Sequence, residues 1–80
     1  MSRRVVVIEC RSVQDDWEGG WSIWGVADSI KSVRDRFYEQ WSVWIPVRDG
    51  SFYPWRWTLH EDTYSVQFRA RQVTFMREEL

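Results

Sequence analysis

One cysteine, one histidine, four glycines and two prolines leave this eighty-residue sequence short of the residues that most often carry chemistry. A single thiol, Cys10, excludes an intramolecular disulfide and suits a reducing cytosol. Nothing in the spacing brings Cys10 and His60 together, and a Cys–His nucleophile needs both within hydrogen-bond reach of each other and of an orienting group. The ligand spacings of zinc and calcium sites are absent, as are glycine loops of the kind that cradle phosphates. The expectation is therefore a chain that is not an enzyme, with no catalytic residues, no metal and no cofactor. Long apolar runs are missing too. Val5-Val6-Val7-Ile8 is stopped by Glu9, too short for a signal-peptide core and far short of a membrane span. A cytoplasmic protein without a membrane partner is expected. The formal charge of −1 and pI near 5.7 lack the basic excess of a general nucleic-acid binder. Local basic groups exist nonetheless: Arg3-Arg4, Lys31/Arg34/Arg36 and Arg56/Arg69/Arg71.

What the chain has in abundance is aromatic surface: seven tryptophans, four phenylalanines and three tyrosines. Each large aromatic buries roughly 150–250 Å², so a few of them fill a core of this size and the rest belong at a rim, on a second face or in an interface. The densest stretch runs from Trp55 to Ala70, where apolar and polar residues alternate on both sides of Glu61-Asp62. That period of two is the mark of a half-buried hairpin. With Glu61-Asp62 as the turn, Leu59 would pair with Tyr64, Trp57 with Val66 and Trp55 with Phe68. Glu-Asp is a poor two-residue turn, so a longer loop and a shifted register are the alternative. With the Glu61-Asp62 turn, Arg56, Thr58 and His60 face the other way, beside Ser65, Gln67 and Arg69.

Taken from the start, residues 4 to 13 read as a central strand, 14 to 20 as an acidic loop ending in a glycine pair, and 21 to 26 as a second strand. Asp28 or Ser29 can cap a helix whose apolar stripe is Ile30, Val33, Phe37 and Trp41, with Lys31, Ser32, Asp35, Arg36 and Glu39 on the solvent side. Pro46 ends that helix between Gln40 and Trp44. Residues 45 to 54 read as a surface loop with a turn at Asp49-Gly50. After Ala70 the apolar parity changes to Val73 and Phe75, which predicts a bulge near Arg71-Gln72, and residues 77–80 read as a frayed tail. The fold class is α+β: residues 1–80 as a single small domain, one helix packed on a mainly antiparallel four-stranded sheet in the order ββαββ.

Three groups of residues are candidates for function. Trp17 lies in an acidic loop next to glycines, Trp24 and Trp44 lie off the faces their neighbours use, and Tyr53 sits in the loop; exposed aromatics of this kind anchor protein interfaces. Arg56 and Arg69, with His60, Gln67 and Arg71 nearby, make a polar sheet face that would fix the register of a partner or track a phosphate backbone. The acidic loop Asp15-Asp16-Trp17-Glu18 reads as a solvated turn, since its carboxylates match no calcium loop, with an acidic contact for a basic partner as the alternative.

The first half resembles small accessory proteins of bacteriophages and mobile elements, of the type strand, variable turn, strand, capped helix. The matching residues are Val5 to Glu9, Trp24-Gly25-Val26 and Asp28-Ser29-Ile30, about half of the chain. The resemblance implies a host-directed protein that binds and inhibits a bacterial factor, and it carries no site residues over. The function expected is protein binding through aromatic anchors, with a homodimer through a strand edge or aromatic patch also compatible. The alternative is nucleic-acid or nucleotide binding by the arginine-bearing sheet face.

Overall fold

The computed structural model describes residues 2–46, 50 and 52–76. Five strands and one helix follow one another as β1 (Ser2–Gln14), β2 (Trp17–Glu18), β3 (Ser22–Ala27), α1 (Ile30–Trp41), β4 (Trp55–His60) and β5 (Ser65–Met76). The expected α+β class and its element order hold, with one strand more than the four expected. The addition is β2, a two-residue strand inside the acidic loop. The chain turns at Asp15-Asp16 and pairs back onto Val13 and Gln14. Gly19 lets this return lie close: its amide donates to the Ser12 carbonyl at 2.8 Å, and a Cβ there would meet the Trp17 ring at 3.1 Å.

All pairings are antiparallel. β1 is central, flanked on one side by β2 and β3 in succession and on the other by β5, with β4 beyond it as an edge. β-Branched Val6 to Ile8 therefore sit where a strand is paired on both sides, as their composition predicts.

Two features of the sheet correct the sequence reading. The hairpin of β4 and β5 is shifted by two residues, with His60 opposite Ser65, Leu59 opposite Val66, Trp57 opposite Phe68 and Trp55 opposite Ala70. Glu61 to Tyr64 form a four-residue connection, closed by the Glu61 amide on the Tyr64 carbonyl at 2.9 Å. A shift of two keeps every side chain on its face, so the core assignment survives while Tyr64 leaves it for the exposed loop. The bulge expected at Arg71-Gln72 does not occur, because β5 pairs with β1 without interruption from Ser65 to Met76. Val73 instead lies opposite Val5 on the face away from the helix. The irregularity falls in β3, where Ile8 pairs with Gly25 and Glu9 with Ile23, leaving Trp24 as the extra residue.

One sheet face carries the core. Val6, Ile8, Phe68, Ala70, Trp55, Trp57 and Leu59 are buried there under Val33 and Phe37 of α1 and Ile45 of the segment that follows it. Trp41 and Ile30, expected in the core, flank it, Trp41 with its ring 4.9 Å from that of Phe37. Ser29 is the N-cap, its hydroxyl accepting from the Ser32 amide at 3.2 Å, and Ser42 ends the helix in the left-handed conformation at φ 56°. The predicted solvent side of the helix is exposed throughout, and Asp35, by hydrogen bond and by charge, raises the pKa of Lys31. Gly50 takes φ 83°, while the rest of the predicted Asp49-Gly50 turn and the expected tail at 77–80 lie outside the described residues.

Candidate functional site: the open face of the sheet

The helix covers one side of the sheet; the other side presents the odd-numbered residues of β1 and β5 and the even-numbered residues of β4. Register fixes what meets there. Glu9 of β1, Arg69 of β5 and Arg56 of β4 form one row across three strands, and Arg11, Gln67 and Thr58 form the next. Arg69 donates through Nε to Glu9 Oε1 at 2.8 Å, and Arg11 donates through Nε to Gln67 Oε1 at 2.8 Å. A carboxylate from the added strand reaches the second row, with Glu18 Oε2 3.3 Å from Arg11 Nη1.

Aromatic rings brace these cations. The Arg69 guanidinium lies over two rings at once, 4.0 Å from the centroid of Trp21 and 4.0 Å from that of Tyr53. Arg11 lies 4.6 Å from the Trp21 centroid, and Arg71 lies 4.8 Å from Phe52 and 5.9 Å from Tyr53. Such cation–π contacts are worth roughly 0.5–2 kcal/mol each, the upper end where water is excluded. They hold the guanidinium groups in fixed places. The arrangement surrounds an open basin of about 550 Å³ lined by Arg11, Trp21, Arg56, Thr58, Gln67 and Arg69.

Arg56 differs from its neighbours. It stands directly opposite Arg69, a like-charge cross-strand pair that is ordinarily unfavourable. Its Nε donates to the Tyr53 carbonyl at 3.3 Å, and no carboxylate among the described residues pairs with it. Beside the basin the face turns apolar. Val5 faces Val73, Val7 faces Val26, and Ile23 faces Glu9, with Ile23 and Val26 exposed.

The six residues singled out from sequence occupy four places. Tyr53, Arg56 and Arg69 come together on the open face. Trp17 is exposed on β2, and Trp44 is 69% exposed and in edge contact with Tyr38 at 6.4 Å. Trp24 is 37% exposed, and its ring packs on Phe37 at 5.3 Å and on Phe68 at 5.8 Å. The bulge explains this, since the extra residue stands over the core rather than alternating with its neighbours. Sequence reasoning missed Trp21, Arg11 and Phe52. The alternation of Glu9, Arg11 and Val13 against Val6, Ile8 and Cys10 carried a signal for Arg11; Trp21, read as the start of the second strand, falls just before β3.

Among the described residues no group of three or more His, Cys, Asp or Glu side chains could hold a metal ion, and no helix is long and apolar enough to cross a membrane. No protein-family model, no curated protein and no solved structure matches this chain.

Proposed function

We propose that this chain is a non-enzymatic binding module that docks a protein partner on the open face of its sheet. The observation that carries this reading is the row Glu9–Arg69–Arg56, braced by Trp21 and Tyr53 and bordered by exposed Ile23 and Val26. Arginine and large aromatics at the centre of a patch, with aliphatic surface beside them, are the composition of interface hot spots. The bracing rings also hold the arginines in place, which lowers the entropy lost on binding. The half-buried lone thiol of Cys10 suits a reducing, cytoplasmic setting. The resemblance of the first half to phage accessory proteins makes a bacterial host factor the partner class to try first, with inhibition by occlusion as the mechanism.

Nucleic-acid binding is the second reading, favoured by Arg11, Arg56, Arg69 and Arg71 sharing one face with Trp21. Against it, the Trp21 and Tyr53 rings already bear guanidinium groups, and Glu9 and Glu18 stand among the cations where a phosphate backbone would run. Immobilised protein incubated with nuclease-treated bacterial lysate separates the two. A protein retained by the native chain, lost with Arg69→Ala and kept with Glu39→Ala on the helix's solvent side is the expected result. Retention that is the same for both variants, or that disappears with the nuclease, overturns the first reading.

A further inference from the structure

We propose that the basin is a seat for a carboxylate, and that the partner segment it takes is acidic and partly apolar. The inference rests on the reading of the open face as the docking face and names the chemistry recognised there. Three cations, Arg11, Arg56 and Arg69, line the basin, and two of them already hold a carboxylate of this chain, Glu18 and Glu9. The third, Arg56, is set against Arg69 with only the Tyr53 carbonyl on its Nε. Two guanidinium groups on neighbouring strands repel each other until an anion lies between them, and charge-assisted hydrogen bonds to a carboxylate are the natural way to relieve that.

The surroundings select among anions. Among the cations that line the basin, Arg56 alone has no carboxylate among the described residues, which calls for a single charge there, and Glu9 and Glu18 disfavour a polyanion; Arg71, outside the basin, lies against Phe52. Trp21 and Tyr53 are engaged by Arg69, so they do not offer free faces to bases. Next to the basin, Ile23 and Val26 are 70% and 61% exposed on the same face, with Val5, Val7 and Val73 beside them. A segment carrying a glutamate or aspartate for Arg56 and Arg69 and aliphatic residues for this strip fits both halves.

The test follows the arginine Nε–Hε signals of the whole protein by NMR during titration with three probes. These are a short peptide alternating glutamate and valine, its glutamine–valine counterpart, and an oligothymidylate. The expected result is saturable shifts of the Arg56 and Arg69 signals with the glutamate peptide, roughly tenfold tighter than with the glutamine peptide. Arg56→Gln should remove that preference with the amide spectrum otherwise native, and Glu9→Gln, which frees Arg69 from its own carboxylate, should tighten binding several-fold. Equal binding of the two peptides, or no binding of either, overturns the carboxylate seat while leaving the retained-protein result to stand or fall by itself. Saturable binding of the oligothymidylate in preference to both peptides overturns the seat and the protein-docking reading together. Signals that shift with protein concentration alone assign the basin to a second copy, through its Asp15–Glu18 turn, and overturn the separate partner.

Discussion

Phe37 is the side chain that settles where much of the aromatic excess goes. It is fully buried and meets the rings of Trp24, Trp41, Trp57 and Phe68 at centroid distances of 4.9–5.3 Å, tilted or edge-on. Aromatic pairs in these geometries add about 0.5–1.5 kcal/mol beyond their burial. Phe37→Ala should therefore cost at least the ~3–5 kcal/mol of an ordinary buried phenylalanine, a large part of the stability of a domain this size. Urea denaturation followed by tryptophan fluorescence should show a much lower midpoint or a chain already unfolded. The core also bears a cost: the indole N–H groups of Trp55 and Trp57 are buried without a hydrogen-bond acceptor among the described residues. Each forfeits about 1–3 kcal/mol. Burying roughly 150–250 Å² at about 25 cal/mol per Å² returns ~4–6 kcal/mol per ring, so burial wins at both positions.

Among the elements, α1 was the most legible from sequence because three signals agree: a cap at Asp28 or Ser29, the apolar stripe and the stop before Pro46. Its ends also offer clean tests. Ser29→Ala removes the acceptor for the Ser32 amide and should cost about 1 kcal/mol. Ser42→Gly should stabilise by roughly 0.5–1 kcal/mol, since the left-handed strain it relieves exceeds the entropy that glycine adds to the unfolded chain. Thermal denaturation followed by circular dichroism reads both, with opposite signs. The strands were legible in face but less so in register. Alternation assigns Trp55, Trp57 and Leu59 to one side, yet a slip of two residues preserves that alternation, so only the Glu61–Tyr64 connection distinguishes the pairings. The parity change at Val73 was a real signal given the wrong cause. On a sheet with one uncovered face, an apolar residue of the other parity can pair across strands, as Val73 does with Val5.

At the scale of the whole molecule, one layer covers one face of the sheet. Helix α1 and the segment carrying Ile45 cover the core side, and the opposite side is left with arginines, rings and aliphatic residues in a fixed lattice. Half of that lattice was visible in the sequence. Arg56, Gln67 and Arg69 follow from alternation within one hairpin, whereas Glu9, Arg11 and Trp21 arrive from the other end of the chain through the pairing of β1 with β5. Sequence periodicity carries no record of which distant strands become neighbours. The direct test of the central claim is site-specific photocrosslinking in bacterial cells. The crosslinker is placed at Ile23 or Val26 on the open face and, as controls, at Lys31 or Glu39 on the outer side of the helix. A discrete crosslinked protein is expected from the sheet positions, absent from the helix positions and lost when Arg69 is replaced by alanine. Crosslinks from the helix positions alone, or adducts to nucleic acid in place of protein, would contradict that claim.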